Sequence, residues 1–480
     1  MAWFGPQAAK MMPPAFAAQP AHVAQLESVV ATLPMREAAV AKLVPTEFGA
    51  ALQITTNERA PRRYFSLDDG SELRDHDRQQ ARWLAAHYLD VPVSAARVVR
   101  LRTEFDSRYP DVNRLLPVYE LAVERDGQQV TAYVYTETGA LAALSDGTKM
   151  FIQSIFQNLH TWKWLDAAGF GRVLLIALFM ISLLTMASSG LYLLIALTRR
   201  KSIPAGNRRW HRKLAYALVL PLTAWSASGF YHLLQAEFVE PVSGIRFAEN
   251  LELDAFAVNG SSRSAFQENI YANVEAASRV SAISLIASRG DGPLYRIQVM
   301  RDSAPAATGM EQRQRRFDGE SFQKSVVYLN ATTGTVVARD DRSRAHEVAQ
   351  AFVTRHGGSA EVVDTALVTR FGAGYDFRNK RLPVWQLDLG DAGATSLFVD
   401  VATGIVVDRS RRIDRVEALV FSMLHKWNFM NPFLGRVQRD SLIIATLLAL
   451  LILAGLGVSI RLRKQRVPVP RKGSDAITAT

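Results

Sequence analysis

The sequence contains no cysteine in its 480 residues. This absence excludes disulfide bonds, thiolate zinc sites, iron–sulfur clusters and the Cys-x-x-Cys-His attachment of c-type haem. Any metal or redox cofactor must therefore be held by histidine, methionine or oxygen. The nine histidines are the first candidates, and they stand at these positions: His22, His76, His87, His160, His211, His232, His346, His356 and His425.

Several catalytic motifs are also missing. No Gly-x-Gly-x-x-Gly follows a predicted strand, which argues against binding of NAD(P)H within this chain. Neither His-Glu-x-x-His nor Gly-x-Ser-x-Gly occurs, so a peptidase is poorly supported. The apolar segments contain no acidic side chain that could relay protons, which argues against a proton-coupled transporter.

Apolar residues are concentrated in three segments without charge. They make up 49% of the chain, too many for an ordinary soluble protein that also carries 21% charged residues. Residues 173–197, 214–236 and 441–460 lack any charged side chain, and each can cross about 30 Å of hydrocarbon as a helix. Pro221 in the second segment is tolerable because neighbouring helices can satisfy the freed carbonyl. The sequence therefore predicts three transmembrane helices.

The basic residues indicate how these helices are oriented. The net charge is +11, and much of the excess lies in the loop 198–213 and the tail 461–480, which both adjoin apolar segments. The positive-inside rule places both in the cytoplasm, so the excess indicates membrane orientation rather than binding to nucleic acid. Residues 1–165 and 237–430 then lie on the other side, as two periplasmic modules of a bacterial inner-membrane protein.

Export of the first module requires a signal, and residues 1–19 contain no apolar run long enough to serve as one. We therefore expect that an N-terminal helix is missing from this reading frame. The alternative is translocation of the first module without a signal.

Both exported modules alternate helical and strand-like apolar spacing. Residues 78–89 and 345–356 are predicted as helices, and each precedes a strand motif, LPVYEL or LPVWQL, and a Thr-Gly turn. Glycine suits these turns because they require a positive φ, so we interpret them as structural rather than catalytic. Residues 64–70 are also expected to be the remnant of a further strand pair. The turns are at these positions: Thr138-Gly139, Thr333-Gly334 and Thr403-Gly404.

Histidines recur beside the apolar segments. His160-Thr-Trp precedes the first segment and His425-Lys-Trp precedes the third, each followed by a Gly-Arg pair. His211 begins the second segment, and His232 lies roughly 30 Å farther along the same helix, at the outer level shared with His160 and His425. Haem iron takes two axial imidazoles from facing helices without covalent attachment. The alternative is an interfacial belt of His, Trp and basic residues.

These features resemble the PepSY-associated transmembrane family, which includes ferric-siderophore reductases of the inner membrane. The resemblance rests on the LPVYEL and LPVWQL modules, the LHTWKW and LHKWNF motifs and the helix RRWHRKLAYALVLPLTAWSASG. It implies an α+β membrane protein with one or two b-type haems. Family members usually have four spans, and the first of these is expected to be missing from this sequence. The histidines implied as haem ligands are His160, His211, His232 and His425.

For an outer haem, His232 is expected to pair with either His160 or His425. His211 has no candidate partner on the inner side, so an inner haem is expected to be incomplete. Arg172 and Arg436 are candidates for binding haem propionates, with lipid headgroups as the alternative. Together with the resemblance, the positions of these histidines predict an electron conduit. It would carry electrons from a quinol or a protein donor to a periplasmic ferric-siderophore. The alternative is a non-enzymatic, membrane-anchored PepSY binding or regulatory protein; the oligomeric state is left open.

Overall fold

The computed structural model describes residues 8–14, 20–198, 206–240, 247–257, 268, 272, 280–288, 290–300, 324–372 and 374–465. The chain divides into two compact units. The sheet unit comprises Met1–Thr161 and Val242–Arg415, and the helical unit comprises Trp162–Pro241 and Val416–Thr480. Residues 199–205 of the basic loop and 466–480 of the basic tail lie outside the described residues.

The α-helices of the described residues are, in chain order, α1 (Pro20–Val30), α2 (His76–Leu89), α3 (Gly147–Ile155), α4 (Phe170–Thr198), α5 (Asn207–Phe238), α6 (Asp341–Arg355), α7 (Arg412–Val420) and α8 (Arg436–Gln465). The strands are β1 (Glu37–Ala38), β2 (Val40–Thr46), β3 (Gly49–Thr55), β4 (Arg63–Ser66), β5 (Ala96–Arg102), β6 (Val118–Arg125), β7 (Gln128–Tyr135), β8 (Ala140–Ser145), β9 (Phe247–Ala248), β10 (Leu251–Glu252), β11 (Val280–Ser288), β12 (Gly292–Met300), β13 (Lys324–Asn330), β14 (Val336–Val337), β15 (Val362–Val368), β16 (Val384–Leu389), β17 (Ser396–Asp400) and β18 (Ile405–Ser410).

The helical unit contains the three predicted spans. Helices α4, α5 and α8 are long and apolar enough to cross a membrane, which confirms the prediction of three transmembrane helices. Helix α5 packs against both of the others: the Tyr216 hydroxyl donates to the Leu194 carbonyl of α4 (3.2 Å), and Asn207 Nδ2 donates to Ser459 Oγ of α8 (3.0 Å). Polar contacts of this kind join helices where lipid offers no competing partner.

The sheet unit is built from antiparallel sheets covered by helices. Helix α2 packs its Ala81, Leu84 and Leu89 side chains onto the sheet β5-β6-β7-β8. Helix α6 packs side chains that include Ala345 and Val348 onto the sheet β15-β16-β17-β18-β9. These two helices contain the predicted helices 78–89 and 345–356, apart from the final residue of the second. The mixed helix and sheet prediction is therefore confirmed.

A seven-stranded sheet joins the two stretches that were expected to form separate modules. Its order is β14-β13-β12-β11-β2-β3-β4. Strand β2 from the N-terminal stretch pairs with β11 from the later one, with Lys42 opposite Ser284 and Ala41 opposite Leu285. Residues from 1–165 and from 237–430 therefore share a sheet and a common apolar core, in which Leu43 and Ile283 both lie.

The Thr-Gly pairs adopt the predicted turn conformation. Gly139, Gly334 and Gly404 have φ values of 68°, 72° and 66°, in the left-handed region that glycine reaches without a Cβ clash. The LPV motifs also match in backbone, since Leu116-Pro117 and Leu382-Pro383 are both cis peptides. The stretch 64–70, which was expected to be the remnant of a strand pair, contributes the single strand β4 at its beginning, and β4 pairs with β3.

Candidate functional site

The two His-x-Trp motifs have the same backbone geometry. Helix α3 leads directly into a π-helical turn, Phe156–His160, and helix α7 leads directly into another, Phe421–His425. In each turn the amide after the histidine donates to the phenylalanine carbonyl five residues earlier, at 3.2 Å for Thr161 and 3.1 Å for Lys426. Single π-helical turns are rare and occur frequently at functional sites.

Aromatic side chains complete both turns. His160 stacks on Phe156 with ring centroids 4.8 Å apart, and His425 stacks on Phe421 at 4.6 Å. Two residues after each histidine, Trp162 and Trp427 have φ values of 50° and 53°. Positive φ is uncommon for a bulky residue. Its recurrence shows that the sequence repeat is also a repeat of backbone conformation.

His425 is held against helix α5. Its Nδ1 lies 3.2 Å from Ser228 Oγ, and its backbone carbonyl accepts a hydrogen bond from Trp225 Nε1 (2.9 Å). The Trp225 ring stacks on Trp427 with centroids 5.0 Å apart and planes inclined by only 8°. A Cβ at Gly229 would lie 3.7 Å from Cε1 of His425, so the imidazole rests directly on the helix backbone.

His232 lies one helical turn beyond Ser228 on the same face of α5. Its Nδ1 lies 2.6 Å from Glu417 Oε1, and its ring centroid lies 4.7 Å from that of Phe421. His232 and His425 therefore both contact the Phe421 ring. Within the helical unit, the structure brings these two predicted ligands together.

The hydrogen bonds indicate the tautomers of the neutral rings. Ser228 donates its own hydroxyl proton to the Ala224 carbonyl (2.6 Å), so its oxygen accepts from Nδ1 of His425. The Glu417 carboxylate likewise accepts from Nδ1 of His232. Both rings then carry the proton on Nδ1 and the lone pair on Nε2, the arrangement of a histidine that ligates a metal through Nε2 with an oriented outer nitrogen.

His211 shows the same arrangement at the beginning of α5. Its Nδ1 lies 3.2 Å from the Leu453 carbonyl of α8, an acceptor only, so this ring also has its lone pair on Nε2. A Cβ at Gly457 would lie 3.4 Å from Cε1 of His211. The His211 ring thus packs against Gly457 of the facing helix α8, just as the His425 ring packs against Gly229 of α5.

The remaining predicted site residues have other neighbours. His160 belongs to the sheet unit, where the Gln157 side chain of the same π-helical turn donates to the Ser107 carbonyl (3.0 Å). Arg172 is paired with Asp166 at 3.2 Å, and Arg436 with Asp440 at 3.6 Å. The arginines predicted to bind propionates therefore already face carboxylates.

Glu417, Phe421 and Ser228 were not identified from the sequence as site residues. The signal for the first two is their spacing, because Glu417, Phe421 and His425 recur every fourth residue and so share one helical face. No group of three or more His, Asp or Glu side chains able to hold a metal ion is found in the described part of the chain.

Comparison with known proteins places the chain in a family. No curated protein and no solved structure matches the chain. The family model of the PepSY-associated TM region matches residues 3–360, well over half of the sequence. The matched range includes α4, α5, His160, His211 and His232, whereas His425 and α8 follow it. The chain belongs to the PepSY-associated TM region family.

Proposed function

We propose that this protein is a haem b protein of the bacterial inner membrane that passes electrons outward to a ferric-siderophore. The observation that carries the proposal is the pair His232 and His425, whose rings both contact Phe421. In their neutral form, the Nδ1 contacts to Glu417 and Ser228 leave Nε2 of both rings as the lone-pair nitrogen. Two neutral imidazoles are a donor set that can hold a b-type haem without covalent attachment in a chain without cysteine.

The residues around the pair suit this group. Bound haem would supply a one-electron iron couple. Glu417 and Ser228 orient the two rings through Nδ1, and a carboxylate on the outer nitrogen strengthens an imidazole as a metal ligand. Phe421 contacts both imidazoles, and the stacked pair Trp225 and Trp427 provides further apolar surface beside His425.

Arg172 and Arg436 would bind the haem propionates, which would replace their present carboxylate partners, Asp166 and Asp440 respectively. His211 would contribute to a second haem near the cytoplasmic surface. A quinol or a partner protein would be the electron donor. With the basic loop cytoplasmic, the sheet unit would be periplasmic and would face the ferric chelate.

Reduction would release the metal because Fe(II) carries less charge than Fe(III) and binds oxygen-rich chelators less strongly. The ferric-siderophore is thus the substrate, and the protein would be a ferric-chelate reductase.

The test is spectroscopic. The full chain, purified in detergent from haem-replete cells, should show a Soret band and an α band that appears with dithionite. His232→Ala should lose haem from the outer site, whereas His346→Ala, on α6 of the sheet unit, should retain the full spectrum. The reduced protein should be reoxidised by a ferric-siderophore and not by the iron-free chelator. A colourless preparation would overturn the proposal and favour the membrane-anchored PepSY binding protein.

A further inference from the structure

The sheet unit contains a cavity of about 260 Å³ next to the first Thr-Gly turn. It lies where this turn meets strands β2 and β12 and the segment that precedes β16. Its lining combines apolar surface with polar and charged side chains, which include, among others, Lys42, Gln80, Thr138, Arg296, Lys380 and Arg381. The volume is below the roughly 300–1,000 Å³ of pockets for drug-sized ligands, so only a small molecule would fit.

Two deeply buried side chains of the lining have incomplete hydrogen bonding. Arg296 is 3% exposed and directs Nε and Nη2 to Asp341 at 2.8 and 2.7 Å, while its Nη1 has no hydrogen-bond partner. Gln80 is 4% exposed and donates from Nε2 to the Pro45 carbonyl at 2.8 Å, which leaves Oε1 without a donor. Buried polar atoms are normally paired, and an unpaired one needs an explanation.

Thr138 provides a third polar atom without a partner, its Oγ1. One cavity is therefore lined by an unused N–H donor, an unused carbonyl acceptor and an unused hydroxyl. A ligand with both a carboxylate and a hydroxyl group would satisfy all three, because the carboxylate accepts from Arg296 and from the Thr138 hydroxyl and the ligand's hydroxyl donates to Gln80.

The charges of the lining favour an anion. Its carboxylates are already used: Asp341 accepts from Arg296, Glu137 accepts from Arg62 and Arg381, and Asp400 accepts from Arg381. Lys42 donates to the backbone carbonyl of Glu137 rather than to a carboxylate. Lys380 donates to the Phe377 carbonyl at 3.1 Å. Two buried ammonium groups thus hydrogen-bond to neutral oxygen atoms.

We propose that this cavity binds a small hydroxycarboxylate. Its carboxylate would accept from Arg296 Nη1 and pair with the ammonium groups of Lys42 and Lys380, and its hydroxyl would donate to Gln80 Oε1. The site lies wholly in the sheet unit, so it does not depend on the haem proposal. An amino acid is a poorer ligand because its ammonium group would face the cations of the lining.

The first test is calorimetric titration of the full chain in detergent with malate and with succinate, which differ by one hydroxyl. Malate should bind at least tenfold more tightly than succinate, because only malate offers a proton to Gln80. Equal affinity would overturn the proposed ligand class, and absence of binding by both would overturn the site.

Two variants locate the binding. Thr138→Val removes a hydroxyl that has no partner in the protein, so it should leave thermal stability unchanged and weaken malate binding several-fold. Lys380→Met should weaken it at least tenfold. Arg125→Gln, at the end of β6 and outside the lining, is the matched control. Unchanged malate affinity in both cavity variants, with both folded by circular dichroism, would place the binding elsewhere and contradict the proposal.

Discussion

His232 of α5 donates from Nδ1 to the carboxylate of Glu417 across 2.6 Å. Glu417 lies on α7, the short helix that leads into the π-helical turn before the third span. The carboxylate is largely buried, with 14% of its side chain exposed, whereas the imidazole is about half exposed at 49%. The contact fixes the orientation of a ring in one span through a residue that precedes another, so it links two distant parts of the sequence at the proposed haem site.

Removing the charge of Glu417 should raise the reduction potential of the outer haem. Glu417→Gln keeps an oxygen acceptor for Nδ1 but removes the negative charge that strengthens the ligand and stabilises the oxidised iron. Haem should remain bound, and a spectroelectrochemical titration should show a shift to more positive potential. Glu237→Gln, an exposed carboxylate near the end of the same span, is the control. Identical potentials for Glu417→Gln and the unaltered protein would argue against ligation by His232.

The glycine that faces His425 should tolerate only a small side chain. A Cβ at Gly229 would lie 3.7 Å from Cε1 of His425, an ordinary contact, so Gly229→Ala should keep the haem spectrum. Gly229→Leu would push the imidazole off α5 and should abolish the Soret absorbance of the outer site. Gly190→Leu on α4 is the matched control because a Cβ there meets nothing within 4 Å. Full haem content in Gly229→Leu would exclude His425 as a ligand.

Glu137 should be essential for the stability of the sheet unit. Its fully buried carboxylate accepts hydrogen bonds from Arg62 (2.9 Å) and Arg381 (2.5 Å), both almost fully buried. Glu137→Ala leaves two guanidinium groups without this partner, and breaking a buried ion pair typically costs about 3–5 kcal/mol. Denaturant unfolding followed by circular dichroism should show a loss of this size. Glu124→Gln, exposed on the neighbouring strand β6, should change the midpoint little.

The stability of the sheet unit should rise with pH above neutrality. Burial is the largest cause that lowers the pKa of Lys380, to about 7, and the pKa of Lys42, to about 8. Lys10, Arg378 and Lys149 also lower the pKa of Lys380, and Asp376 opposes them. Glu137 and Asp400 raise the pKa of Lys42, whereas Arg381 and Arg62 lower it.

The sign follows from proton binding. Between these values and the ordinary lysine pKa of 10.5, the unfolded chain binds more protons than the folded chain, so unfolding becomes less favourable as pH rises. Below about pH 7 both states are protonated at Lys380 and its unfavourable contribution is constant. The thermal midpoint should therefore increase from pH 7 to 9. Lys380→Met should flatten this slope, whereas Lys213→Met, at the exposed beginning of α5, should not. An equally steep slope in Lys380→Met would contradict the assignment.

The repeated His-x-Trp motif indicated two equivalent sites, but the sequence did not choose between His160 and His425 as the neighbour of His232. The choice within the helical unit depends on Ser228, Gly229 and Phe421, which touch His425 only after α5 and α7 have packed together. The sequence does not distinguish Glu417 as a site residue, because a single glutamate on an amphipathic helix is usually exposed to solvent. Its role depends on a residue nearly two hundred positions away.

Local patterns in the sequence determined the three spans, the helix-then-sheet units and the Thr-Gly turns, because each depends on side chains a few residues apart. Charge-free length is sufficient to predict a membrane helix, and glycine is the residue that most readily adopts the positive φ of a tight turn. Tertiary structure alone decided that β2 pairs with β11, that His232 meets Glu417, and that Gln80, Thr138 and Arg296 surround one cavity. These contacts join residues far apart in sequence, and neither apolar periodicity nor turn chemistry specifies which strand edge or helix face will become the neighbour of another.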